Sequence, residues 1–169
     1  MEEVQVDAAF EPLLELEMEM ATLVADWSHC DQCAAYVARM VSHDRLDPIR
    51  HANLLSAALN ELFEMSFHTR ESDGALTCRF YRNGLTERIE LTFPCSAEQR
   101  DSYEAIVAHI GNGQALANYL DAITDDAARA EHAILLGLAV NYDADIELSG
   151  QNTGVMTFVV DLALERLLN

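Results

Sequence analysis

The chain has 169 residues, 50% of them hydrophobic and only 3 of them proline, which predicts one domain, 1–169, with a real core and argues against long disordered segments. Its formal net charge of −19 at pH 7 repels nucleic acid and anionic membrane surfaces and attracts a basic partner surface. No apolar run approaches the roughly 20 residues that cross a bilayer, and the acidic start MEEVQVDAAFEP lacks the basic n-region of a signal peptide. A cytoplasmic location is therefore the expectation, with the 4 Cys reduced.

In chain order, Leu14 to Met20 (LELEMEM) alternates apolar residues with Glu. That period predicts a strand, at a sheet edge where a Glu row discourages unwanted pairing. DWSHCDQCAAYVARMVSHD predicts a helix with an apolar face of Tyr36, Ala38, Met40 and Val41. A second helix starts at Asp47-Pro48, with Asp47 as N-cap and Pro48 in the first turn, and runs to about His68. Its buried side carries Leu55, Leu59, Leu62 and Ser66. Its other side carries a polar arc of Asn60, Glu61, Glu64 and His68.

GALTCRFYRNGLTERIELTF places Asn83-Gly84 between two alternating runs, the signal of a two-residue type I′ hairpin. That loop would pair Arg82 with Leu85 and Cys78 with Ile89. Leu76, Cys78, Phe80, Leu85, Ile89, Leu91 and Phe93 share the apolar face, with Glu87 as its polar intruder near the tip. Pro94 ends the second strand. Helices follow over Glu98–Ile110 and Gln114–Ile123, around a Gly111-Asn112-Gly113 break. Asp125 or Asp126 caps a further helix through ARAEHAILLGLAVNY. A second hairpin has strands near Ile146–Ser149 and Val155–Leu162, the latter central in the sheet. Strand, helix, helix, hairpin, helices, hairpin predicts an α+β fold: a two-layer sandwich of a mostly antiparallel sheet of about five strands with helices on one face.

This order, with NLLSAALNELFEMSFH in the second helix, resembles the histidine-kinase-like ATPase (GHKL, Bergerat-like) fold. Within it the likeness is to small bacterial anti-sigma-factor serine kinases of partner-switching systems. In that family the helix carries a Glu or Asn base followed four residues later by an Asn that ligates Mg²⁺. The four-residue spacing puts both on one helical face. The resemblance sets Glu61 at the first position and Met65 at the second. A thioether is a poor ligand for Mg²⁺, which takes hard oxygen donors. The family's Asp-x-Gly-x-Gly adenine turn falls on LTFPCSAEQRD, which has neither an Asp-Gly pair nor a glycine. Its Gly-rich phosphate loop is reduced to Gly137 in Leu135-Leu136-Gly137-Leu138. The resemblance thus implies a relic nucleotide pocket walled by Asn60, Glu61, Glu64, Met65, His68 and Gly137.

Read without the resemblance, the polar arc is a solvated helix face with Glu64 and His68 as an i,i+4 pair. His29-Cys30 and Cys33 form a CxxC, compatible with zinc or thiol exchange but more simply structural. The six His show no metal spacing. The expectation is a regulatory protein-binding module of bacterial signalling, without ordinary ATP binding and needing no cofactor. Its partner would be a small antagonist domain or a phosphatase, and a homodimer is compatible with the sequence. The alternative is an active serine/threonine kinase using ATP and Mg²⁺, with Glu61 as base and Asn60 or Glu64 on the metal. A third reading is a small-molecule sensor using the vacated pocket.

Overall fold

The computed structural model describes residues 9–26, 28–69, 73–125, 130–149 and 154–168. The elements are β1 (Glu11–Glu19), α1 (Met20–Ala25), α2 (Ser28–Ser42), α3 (Pro48–Phe67), β2 (Ala75–Asn83), β3 (Thr86–Pro94), α4 (Ala97–Gly111), α5 (Ala115–Thr124), α6 (Ala130–Asn141), β4 (Asp145–Ser149), β5 (Val155–Leu162) and α7 (Leu164–Leu167). The strands form one antiparallel sheet in the order β1-β2-β3-β5-β4. The expected α+β architecture, the edge position of β1 and the interior position of β5 are all present. The short helices α1 and α7 were not anticipated. The proposed helix cap at Asp125 is instead the C-cap of α5, and residue 126 lies outside the described residues.

Alternation buries one face of the sheet. Leu76, Cys78, Phe80, Ile89, Leu91, Phe93, Met156, Phe158 and Val160 are all within 2% of full burial, while the residues between them stay partly exposed. The helical layer covers that face, and the other is open. Leu55, Ala58, Leu59, Leu62, Phe63 and Met65 of α3 are equally buried, each large apolar side chain contributing about 1.5–3 kcal/mol. The buried face of α2 is not the expected one: Tyr36 and Met40 are exposed, at 66% and 45%, and Cys30, Ala34, Val37, Ala38 and Val41 are buried. The latter follow an i, i+4, i+7, i+8, i+11 pattern. Its alanines let α2 lie close to α3, as small side chains at a helix contact do.

The first hairpin is shifted by two residues from the Asn-Gly register. Gly84 and Leu85 form the loop, Asn83 faces Thr86, and Cys78 faces Leu91. Gly84 has φ +58 and Leu85 does not have positive φ, the pattern of a turn with glycine at its first central position. Leu85 is therefore at the tip, 47% exposed. A two-residue shift preserves which side chains face inward, so the apolar set survives it. The physical reason is Glu87. The Asn-Gly register would set its carboxylate opposite Phe80; the observed one sets it opposite Arg82.

Glu87 is fully buried and ionically satisfied. Arg45 donates to its Oε1 from Nη2 at 2.6 Å and Nε at 3.1 Å, and Arg82 approaches from Nη2 at 3.2 Å. His51 Nε2 lies 3.2 Å away. A carboxylate only accepts, so this nitrogen donates, and in the neutral ring Nδ1 accepts from the Ser42 hydroxyl at 2.6 Å. Arg45 also reaches the Gly84 carbonyl at 3.2 Å and Glu165 of α7 at 3.8 Å. Arg82 also holds Asp44 at 2.9 Å and donates to the Val41 carbonyl. Burial pushes the Glu87 carboxyl up, but hydrogen bonds from His51, Arg45 and Arg82 outweigh it and hold the group below its ordinary value of 4.5.

Glu87→Ala removes the shared acceptor of two part-buried guanidinium groups, leaving Arg82 with Asp44 and Arg45 with the more distant Glu165, and its urea unfolding free energy at pH 7 is expected to fall by about 3 kcal/mol. Because the folded carboxyl lies below 4.5, its stabilisation is present above that pH and is lost as the pH falls through the folded value. The difference between wild type and Glu87→Gln should therefore shrink on acidification.

Candidate functional site

The helix α3 carries the polar arc. Asp47 caps it, accepting from the Arg50 N–H at 3.2 Å, with Pro48 in the first turn, both as expected. At about 100° per residue, Asn60, Glu64 and His68 rise in a line and Glu61 stands to one side. The structure divides this arc among three surroundings. Asn60 turns toward α2, where its Nδ2 donates to Asp31 Oδ1 at 2.7 Å. Glu64 and His68 form the expected i,i+4 contact, with Nε2 and Oε1 3.5 Å apart and both side chains partly exposed. Glu61 turns toward the end of α6.

Glu61 is the member whose carboxyl is shifted. Its Oε2, like Asn60 Oδ1 and His68 Nε2, is buried with no hydrogen-bond partner among the described residues. Burial, then the nearby Glu64 charge, raise its carboxyl above the ordinary value. Tyr142, just past α6, feels the same carboxylate: burial first, and then the charge of Glu61, push its phenol up. The turn holding Tyr142 is set by Asp143, in a left-handed conformation at φ 50, and by Tyr142 and Ala144 N–H groups that both donate to the Leu138 carbonyl. Tyr142 and Asp31 were missed in the sequence. Neither carries a local signal, since both meet α3 only through the tertiary fold.

Met65 lies one turn beyond Glu61 and is 0% exposed, part of the core. Gly137 is in mid-α6 rather than in a loop; a Cβ there would sit 3.4 Å from the Tyr119 ring of α5. That is ordinary van der Waals contact, so Gly137 is a helical residue facing α5 whose packing does not demand a glycine. Where an adenine turn was sought, β3 passes through Cys95 into α4. Ser96 and Gln99 form a reciprocal capping box there, with Gln99 N–H donating to Ser96 Oγ at 3.2 Å and Ser96 N–H donating to Gln99 Oε1 at 2.9 Å.

None of the four cysteines is in a disulfide. Burial, with Cys33 and Asp26 adding, pushes Cys30 up to about 12, and burial also raises Cys33. Neither thiol has the depressed pKa of a reactive CxxC. Among the described residues no three His, Cys, Asp or Glu side chains are grouped to hold a metal ion, and no helix is long and apolar enough to cross a membrane. A groove of about 910 Å³ lies between α4 and β4, lined by no residue of α3.

No protein-family model and no curated protein sequence matches the chain. Its fold is shared with a chain in the crystal structure of the SiaB–SiaC complex from Pseudomonas aeruginosa. The TM-score is 0.63 and the identity 16%, over 90% of each chain. The likeness is one of fold, to a chain crystallised in a complex between two proteins.

Glu61→Gln removes a carboxylate whose folded pKa is raised. Such a group is best tolerated below 4.5 and costs stability as the pH rises through the folded value. The variant should be more stable than wild type at pH 7, by about 0.5 kcal/mol after solvent screening of a half-buried group. The gain should vanish in thermal melts near pH 4.

Proposed function

We propose that the chain is a regulatory protein-binding module with a histidine-kinase-like ATPase architecture, acting in bacterial signalling of the partner-switching kind and lacking ordinary ATP binding. One observation carries the reading. Where the family pattern needs an oxygen to hold Mg²⁺, the chain has a fully buried Met65 packed into the core. Two more support it. The segment after β3 enters a capped helix directly, without a glycine turn to receive adenine. Gly137 lies within α6 under Tyr119 rather than in a loop whose N–H groups could cradle phosphate. The residues present thus do not fit Mg²⁺–ATP held in the family's manner. The shared fold with a chain of a two-protein complex supports a role exercised through protein contacts.

The active-kinase reading draws on Glu61, whose unpartnered oxygen and raised pKa suit a general base. Calorimetric titration with ATP and Mg²⁺ separates the two. No saturable binding is expected up to about 1 mM. Submillimolar binding that disappears in Glu61→Ala would instead establish the kinase reading. Met65→Asn is expected to lose about 2–4 kcal/mol of stability, by exchanging a packed side chain for a buried amide, without gaining nucleotide affinity.

A further inference from the structure

The sheet ends at β4, which among the described residues pairs only with β5. Beside it runs α4, anchored by Tyr103, its one buried side chain, whose ring packs edge-on against Phe158 at 5.2 Å and Phe93 at 6.4 Å. The 910 Å³ groove lies between them and is bordered by four consecutive residues of β4, Asp145, Ile146, Glu147 and Leu148. Successive strand side chains point to opposite faces. A groove touching all four therefore wraps the free edge of the strand, and Val159 and Asp161 of β5 extend it onto the open face of the sheet.

The two sides of that edge differ chemically. On the helix side, Ile146 and Leu148 stand opposite buried Val160 and Phe158, and Val107 and Ile110 of α4 complete an apolar wall. On the open side, Asp145 and Glu147 are exposed, and α4 contributes the exposed Glu104 carboxylate to the lining from the helix side. The lining contains no Lys or Arg. Arg88 reaches Asp161 at 2.8 Å and offsets that acid, and its charge also interacts more weakly with Glu147.

We propose that this edge is a docking site for an extended segment of a partner protein. The segment adds beside β4 as a further strand and alternates apolar residues with Lys or Arg. Its apolar side chains enter the wall formed with α4, and its basic ones meet Asp145 and Glu147. Main-chain hydrogen bonds supply affinity and the alternating pockets supply specificity, as in other strand additions. A second copy of the chain does not fit, since two β4 edges would set their acidic rows against each other. The opposite edge fits less well: in β1, Pro12 lacks an N–H, the register is irregular between Pro12 and Leu14, and Glu15 is held by Arg79 at 3.0 Å. The proposal rests on the protein-binding reading above and gives the partner its chemistry and its surface.

The test titrates the full chain, labelled for amide NMR, with a capped Lys-Val-Lys-Val-Lys-Val-Lys peptide. A block peptide of the same composition, Lys-Lys-Lys-Lys-Val-Val-Val, is the control. Shifts and slowed amide exchange are expected over residues 145–149, with binding about fivefold or more weaker for the block peptide and for Glu147→Lys at unchanged melting temperature. The proposal is overturned by absence of binding, by equal binding of both peptides with shifts spread over the acidic surface, or by indifference to Glu147→Lys. These results are separate from the nucleotide titration. A failed peptide with no ATP binding removes this surface alone, whereas Glu61-dependent ATP binding removes the protein-binding reading whatever the peptide does.

Discussion

A carboxylate at 0% exposure has to be matched inside the protein, and Glu87 is matched by groups from three separate parts of the chain. Arg45 comes from the α2–α3 connection, His51 from the first turn of α3 and Arg82 from the facing strand. Arg45 then extends the network to Glu165 in α7. The hairpin end of the sheet is thereby fastened to the helical layer at one point. Such a network is weak evidence for net stability, because dehydrating the ions offsets much of their attraction. Its effect here is on register. Any slip of β3 along β2 would pull the carboxylate away from Arg82 and leave charge facing apolar side chains.

Glu61 makes the contrast. Glu87 is fully buried and Glu61 half-buried, and their pKa values move in opposite directions: donors around Glu87 outweigh its burial, whereas burial and then the Glu64 charge both raise Glu61. Glu87 is the kind of buried charge that specifies a structure. Glu61 is the kind that costs stability, and it sits where α3 meets the end of α6, beside Tyr142. Met65, one turn further along α3, is wholly given to packing. The polar arc therefore has an acid with no oxygen-bearing residue four positions on, its neighbour at the next turn being the like-charged Glu64.

Much of this was legible from periodicity. Alternation over residues 75–94 placed β2 and β3 with their inward faces, the apolar run near 155–160 placed β5 inside the sheet, and the Asp47-Pro48 start placed α3 with its buried Leu55, Leu59, Leu62 and Ser66. What local pattern could not supply was anything decided by partners distant in sequence. The Asn83-Gly84 dipeptide argued for a tight turn on local grounds, and the pairing of Glu87 with Arg82 and Arg45 moved that turn by a residue. Tyr36 and Met40 looked apolar enough for the core, yet the side of α2 facing α3 is the one lined with alanine. The polar arc of α3 was visible as a face, but its division between Asp31 of α2 and Tyr142 beyond α6 depends on how three helices meet.

The same physics gives the two ends of the sheet different characters. An edge strand exposes unpaired main-chain groups, and acidic side chains along it discourage pairing between copies of an already acidic protein. At β1 this protection is reinforced by proline and by the Arg79 contact, which occupies the Glu15 carboxylate. At β4 the strand's own acids lie on the open side, and the helix side is a mostly apolar wall, with Glu104 at its rim, held in place by the Tyr103 anchor. A row of like charges that repels another copy attracts a strand of opposite sign. One arrangement therefore both opposes the pairing of two β4 edges and favours a strand of opposite sign there.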